Sequence, residues 1–220
     1  MRSPGDTIES ARLFVRRFTP DDLDLLAGLL GDAEVTRFLG GVKDRAGAEL
    51  TLRTRGLDYY DRHPGLGMWM TVERASNRPV GFHVLNHIHG EPDVQVGYAL
   101  LKEAWGRGYA TEMAVRLLRY GFEDLGLSQI VAITNLDNIP SQHVLRKAGL
   151  VRRGERSFAH PALAGEGPMA WFEADRATWQ VPQVVRPTPD LPGAEVEAAG
   201  GPRASAVPDA PAGSAGGRRD

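Results

Sequence analysis

The 220-residue chain contains no cysteine. That excludes disulfide scaffolds, thiolate zinc sites, iron–sulfur clusters and cysteine nucleophiles. It also lacks an excess of positive charge: the formal net charge is −2 and the isoelectric point about 6.3. Binding to nucleic acid through phosphate contacts is therefore not expected. No apolar run approaches the roughly 18 residues that a membrane-spanning helix needs. The opening Met1-Arg2-Ser3-Pro4-Gly5-Asp6 has none of the apolar stretch of a secretory signal. No repeat recurs at solenoid periods. These absences lead to the expectation of a cytoplasmic protein with no membrane partner. They leave open whether it forms a homodimer.

Hydrophobic residues at 42% and charged residues at 25% match a globular domain rather than a disordered chain. The composition changes after Gln180. From Pro182 to Asp220 the chain holds 7 of its 15 prolines and no aromatic residue. Such a segment buries too little apolar surface to offset its ordering entropy. The expected organisation is one folded domain over residues 8–181 and a disordered Pro/Gly/Ala-rich tail over 182–220.

Within the domain the periodicity alternates between strand and helix. Ala11 to Phe18 carries β-branched and aromatic residues and predicts a strand. Thr19-Pro20-Asp21-Asp22 combines a capping residue, a proline at the first helical position and two acidic residues at the positive end of the dipole, so it starts a helix to Leu30. A short helix over 33–39 and a longer one over 44–61 follow. Strands are predicted at 68–73, 80–88 and 94–101, then a helix from Tyr109 to about Asp124. The near-continuous apolar run 129–134 predicts a strand buried on both faces. A helix over 138–148 and strands at 151–159 and 169–174 close the domain. The order β-α-α-α-β-β-β-α-β-α-β-β predicts an α/β fold, a mixed central sheet flanked by helices.

Two segments carry chemistry. In the first, Val96-Gly97-Tyr98-Ala99-Leu100 leads through Trp105-Gly106-Arg107-Gly108 into a helix at Tyr109-Ala110-Thr111-Glu112. Gly106 and Gly108 allow close backbone approach, and the first helical N–H groups have no partner inside the helix. Such a turn suits a pyrophosphate, with Arg107 adding a cation. Neither a Walker Gly-Lys-Ser/Thr nor a three-glycine dinucleotide fingerprint is present. In the second, the next strand ends at Thr134, and the run Asn138-Ile139-Pro140-Ser141 to Lys147-Ala148-Gly149 forms a helix with its stop.

Taken together the two segments resemble the GNAT N-acetyltransferase superfamily. Its motif, Gln/Arg-x-x-Gly-x-Gly/Ala, is matched from Trp105 to Ala110 except that Trp105 stands at the first position. Trp-Gly-Arg-Gly-Tyr-Ala-Thr-Glu, the run from Asn138 to Gly149, the opening Ala11 to Arg16 and the aromatic Trp171-Phe172-Glu173 resemble the RimJ/RimL-type branch, the ribosomal-protein N-terminal alanine acetyltransferases.

The resemblance implies an acetyl-CoA-dependent transferase that passes an acetyl group directly to a primary amine, either a protein N-terminus or a small molecule. It implies no metal and no covalent enzyme intermediate. The pyrophosphate is expected on Gly106, Arg107, Gly108, Tyr109, Ala110 and Thr111, with Trp105 packed beside the turn. The pantetheine arm is expected along Tyr98, Ala99 and Leu100, and against Asn138. Leu145 stands where many members carry a tyrosine, which leaves Ser141 as the hydroxyl for the departing thiolate. Gln95 stands where the related branch often has a glutamate, and Asp93, on the same strand face, becomes the candidate base, with Glu91, His87 and His89 nearby. Because Gln95 and Leu145 replace polar groups, a non-catalytic acyl-CoA-binding module is the rival reading; a succinyl-CoA-dependent enzyme is another. His83, His87 and His89 share strand parity but match no zinc spacing. Trp69, Trp171 and Trp179 are expected in packing roles. Acceptor specificity should reside around 31–63 and 157–169, where no motif is recognisable.

Overall fold

The computed structural model describes residues 7–165 and 167–182. Contacts divide the chain into Met1–Val184 and Val185–Asp220. The described residues all belong to the first unit, and the segment read as a tail lies, except for Pro182, outside them.

The strands are β1 (Thr7–Glu9), β2 (Leu13–Arg17), β3 (Gly67–Glu73), β4 (Arg78–His87), β5 (Val94–Leu100), β6 (Gln129–Asn135), β7 (Val151–Arg156) and β8 (Met169–Asp175). The helices are α1 (Leu23–Gly31), α2 (Arg45–Thr51), α3 (Asp58–Arg62), α4 (Tyr109–Glu123) and α5 (Ile139–Lys147). All eight strands form one sheet in the order β1-β2-β3-β4-β5-β6-β8-β7. The expected mixed sheet with flanking helices is present, with three corrections. A further strand, β1, precedes the predicted first one; it is three residues long and pairs with β2 through Thr7–Arg16 and its neighbours, too short to leave a pattern. The second predicted helix is a 3₁₀ segment, Val35–Phe38. The predicted helix over 44–61 is interrupted by a π-helical segment, Leu52–Leu57.

The sheet is layered. On one face α4 and α5 bury Met113, Leu117, Leu118 and Leu145 against Trp69, Leu85, Val96 and Leu100. Alternation along the strands turns Met68, Met70, Val72 and Ala99 to the other face, where α1 and α2 cover them with Leu26, Leu29, Leu30 and Ala48. Under β6 and β8 a separate cluster of Ile88, Val131, Phe158, Met169 and Trp171 forms the far end of that face. Fully burying each large aliphatic side chain contributes about 1.5–3 kcal/mol.

The feature that positions the site is a split in the sheet. Strands β5 and β6 run parallel and are in register at one pair among the described residues, Gln95 with Val131. Antiparallel β4 and β5, by contrast, pair continuously from Gly81–Leu100 to His87–Val94. Beyond Gln95 the edge of β5 that faces β6 therefore has no ladder partner. Apart from the Leu100 carbonyl, which accepts from the Trp105 indole, backbone groups there have no strand partner among the described residues and can meet a ligand that binds as an extra strand.

Candidate active site

The glycine turn closes the split at the end of β5. Gly106 and Gly108 have φ of 73° and 77°, the left-handed region in which an L side chain is strained. A Cβ on Gly106 would meet nothing within 4 Å, so the space above it is open. The first amide engaged inside α4 is that of Glu112, which donates to the Gly108 carbonyl at 3.0 Å. Those of Tyr109, Ala110 and Thr111 precede it and open at the positive end of a 15-residue helix. Open space, amides and dipole fit the pyrophosphate of acetyl-CoA.

The charges around the turn differ from the expectation in one respect. Arg107 is not a free cation: it pairs with Glu73 at 2.8 Å. Glu73 also accepts from the Ser76 hydroxyl at 2.5 Å and from the Tyr109 hydroxyl. These bonds, Ser76 foremost, hold its carboxyl below the usual range. A second guanidinium was missed. Arg12, before β2, has its Nε 2.7 Å from Glu112 and approaches the place of a Gly108 Cβ to 3.5 Å. Arg12 and Arg107 both lie over the Tyr109 ring, each 4.7 Å from its centroid. Arg12 lies almost 100 residues from the turn in sequence, so no local pattern could have placed it there. Trp105 is 44% exposed and its indole N–H donates to the Leu100 carbonyl at 2.8 Å, tying the turn to the strand end.

At the other wall of the split stands the start of α5. Asn138 caps it, its Oδ1 accepting from the Ser141 amide at 3.2 Å. Ser141 is not spent on capping. Its Oγ lies 3.1 Å from the Tyr98 hydroxyl, which also donates to the Ser141 carbonyl at 3.2 Å. Tyr98 reaches from β5 across the unpaired edge to make this contact. Burial pushes its hydroxyl up to about 12, so it is a proton-bearing group at any ordinary pH. The family resemblance implies only a backbone role for Tyr98. Its strand parity, shared with Val96 and Leu100 on the α4–α5 face, was the available signal for the side chain. Leu145, where a tyrosine was sought, is 2% exposed and belongs to the core.

His83 sits beneath Tyr98, ring centroids 5.7 Å apart, and is wholly buried. Its Nδ1 is 2.7 Å from the Thr71 hydroxyl, while Nε2 makes no hydrogen bond of good geometry among the described residues and has the Ala110 backbone nearby. Burial drives its pKa down to about 3, so the ring is neutral. His87 and His89 are only half-buried and belong to the opposite end of the strand pair. Among the described residues no group of three or more histidine, aspartate or glutamate side chains is placed to hold a metal.

At the start of β5 Gln95 donates weakly to the buried Asn86, 3.4 Å away. Asp93 does not stand free beside it. Arg156, from β7, binds Asp93 at 3.1 Å and Glu91 at 3.0 Å. The guanidinium also lies over Trp171, 4.6 Å from the ring centroid. The two carboxylates thereby tie the β4–β5 loop to β7.

Comparison with known proteins agrees with this geometry. Residues 12–151 match the family model "Acetyltransferase (GNAT) domain". The chain is 29% identical over 153 residues to the uncharacterized N-acetyltransferase YoaA of Bacillus subtilis (strain 168), covering 67% of this chain and 84% of that protein. An acetyltransferase from Agrobacterium tumefaciens superposes with a TM-score of 0.66 at 22% identity, covering 76% of this chain and 93% of that one. The ribosomal-protein-S5-alanine acetyltransferase from Vibrio fischeri superposes with a TM-score of 0.61 at 17% identity, covering 79% and 98%. Among the described residues no helix is long and apolar enough to cross a membrane. With its glycine turn, its split sheet and the family match over residues 12–151, the chain belongs to the GNAT family and is an acetyl-CoA-dependent N-acetyltransferase.

Proposed function

We propose that this enzyme acetylates a primary amine by direct attack on the thioester of acetyl-CoA, with Tyr98 and Ser141 acting together on the departing sulfur. Acetyl-CoA supplies an activated acyl group and a thiolate leaving group. The amine nitrogen forms the new C–N bond as the C–S bond breaks, so the thiolate needs a proton or a hydrogen bond. The observation that carries the assignment is the contact between the Tyr98 hydroxyl and Ser141 Oγ across the split. In this reading Ser141 donates its proton to the sulfur as it takes one from Tyr98, held protonated by burial; the proton shed by the attacking nitrogen passes through solvent and restores Tyr98, so that amine and acetyl-CoA give the amide and free CoA thiol. The unpaired edge from Val96 to Leu100 holds the pantetheine and supplies a strand amide to the thioester carbonyl, an oxyanion-type contact.

We assign Asp93 to holding the loop rather than to taking the ammonium proton, because its charge is committed to Arg156. The acceptor then enters as the free amine; for an α-amino group of pKa about 7.7–8.0 this costs little. The test is Ser141→Ala assayed for release of free CoA. A fall in kcat with KM for acetyl-CoA unchanged supports the role. Unchanged kcat overturns it. Acetyl-CoA binding with no turnover on any amine would favour the binding-module reading instead.

A further inference from the structure

The opposite end of the β4–β5 pair carries a second cluster that the acetyl-transfer chemistry leaves unused. Arg55 lies in the π-helical segment Leu52–Leu57, where the Asp58 amide reaches back to the Arg53 carbonyl, five residues away. Single-turn π segments re-aim side chains and recur at functional sites. Gly56 is buried in the same segment, where a Cβ would come within 3.6 Å of Phe18 and 3.8 Å of Met68. The segment is thus pinned on one side while Arg55 turns to the other. There Arg55 donates to the His87 carbonyl at 3.3 Å, at the last residue of β4, and lies over the Tyr59 ring. Tyr59 is 2.7 Å from His87 Nδ1, and His63 packs against His87 with centroids 4.8 Å apart. One helical turn before Arg55, Thr51 receives the Lys43 ammonium at 3.0 Å. Across the mouth His89 stacks on His160, centroids 5.2 Å apart.

Every titratable group here is a base or a phenol. Lys43 and Arg55 are half-buried, and among the described residues neither has a carboxylate within 4 Å. The neighbouring acids are engaged elsewhere: Asp44 caps α2 through the Gly47 amide, and Glu91 and Asp93 are held by Arg156. Partly burying two cations without counter-charge is unfavourable unless a ligand supplies it. The strain is felt by the cluster itself. Burial and the Arg55 charge hold Lys43 below its ordinary pKa, and burial with the Arg55, His160 and Lys43 charges holds His89 down at about 4.

The cluster cannot serve the pyrophosphate. It borders His87, which pairs with Val94 at the start of β5, whereas the glycine turn follows Leu100. Six residues of strand separate the two by roughly 20 Å. Resting on the acetyltransferase reading above, we infer that the acceptor is an amine that also carries an anionic group, a carboxylate or a phosphate monoester, and that Lys43 and Arg55 bind that group at the acceptor end of the cleft.

The experiment measures kcat/KM with acetyl-CoA for matched amines: amino acids against their amides, phosphoethanolamine against ethanolamine, and spermidine as a polycation. The expected result is a preference of about 10- to 100-fold for one anionic member over its neutral partner, the range of one charge-assisted contact. Preference among amino acids identifies a carboxylate site; preference for phosphoethanolamine identifies a phosphate site. Arg55→Gln and Lys43→Met should each cut that anionic-to-neutral ratio about 10-fold or more, mainly through acceptor KM. Should Arg55→Gln fail to fold, shown by its circular dichroism, Lys43→Met alone decides, since Lys43 lies outside the π segment. Equal or faster transfer to neutral amines or spermidine overturns this inference and leaves the acetyltransferase reading standing. No transfer to any amine overturns both.

Discussion

Replacing Tyr98 by phenylalanine removes one oxygen atom from a buried ring. In the wild-type protein that oxygen stands 3.1 Å from Ser141 Oγ and 3.2 Å from the Ser141 carbonyl. If the two hydroxyls serve the thiolate as a unit, either deletion breaks the same path. A positioned general acid contributes about 10²–10⁴-fold, and a thiolate is a good enough leaving group to need only the low end. Tyr98→Phe and Ser141→Ala should therefore each lower kcat roughly 100-fold. The double variant should fall little further than the worse single one, because residues that act as a unit are non-additive. KM for acetyl-CoA should hardly move in any of the three, since the β5 edge and the α4 amides are backbone groups. Stability should drop by only about 0.5–1.5 kcal/mol per lost hydrogen bond, so folding does not confound the rates. The assay is free CoA released at saturating acetyl-CoA, with urea midpoints measured beside it. Multiplicative losses in the double variant would refute the shared path. Full kcat in Ser141→Ala would refute the donor itself. The pH profile adds an independent check. With Tyr98 pushed up to about 12, kcat should show no loss from its ionisation up to about pH 10. Because that folded pKa lies above the unfolded value of about 10, its stabilising contribution is complete below pH 10 and is lost as pH rises toward 12.

Gly108→Asp places a side chain at φ 77° and sets a carboxylate beside Arg12, where the pyrophosphate is expected; calorimetry should show acetyl-CoA affinity reduced about 10-fold or more. His83 has a folded pKa of about 3 against 6.5 when unfolded, so its contribution is intact above pH 6.5 and is lost as pH falls toward 3, by up to about 1.4 kcal/mol per pH unit. Urea midpoints between pH 7 and 4.5 should fall less steeply in His83→Gln than in the wild type; parallel curves would refute the assignment. Asp93→Asn loosens the Arg156 tie, so it should raise acceptor KM and lower the Tm while leaving the ascending limb of the pH–rate profile in place. Disappearance of that limb would make Asp93 the base after all.

Local chemistry made much of this protein readable in one dimension. The glycines at 106 and 108, the helix they start and the apolar run of β6 are neighbours in the chain, and each is specified by short-range rules: positive φ, unpaired amides, period-2 and period-3.6 burial. The glycine turn and most strand and helix positions follow from them. β1 escaped because three residues held by backbone pairing carry no periodicity. The π segment escaped because one inserted residue barely disturbs a helical pattern.

What the sequence could not supply were meetings between distant residues. Arg12 reaches the α4 turn, and Tyr98 meets Ser141 over a gap that exists only because β5 and β6 part after Gln95. Arg156 captures Asp93, a carboxylate whose strand position alone suggested a free base. Lys43 and Arg55 bring two cations together beside the neutral His89, both from the stretch where acceptor specificity was expected but no motif could be read. Short-range dihedral and hydrogen-bonding preferences determined the glycine turn and the helix it starts. The partner of each charge and hydroxyl depended on how the chain packs, and so only the tertiary structure decided it.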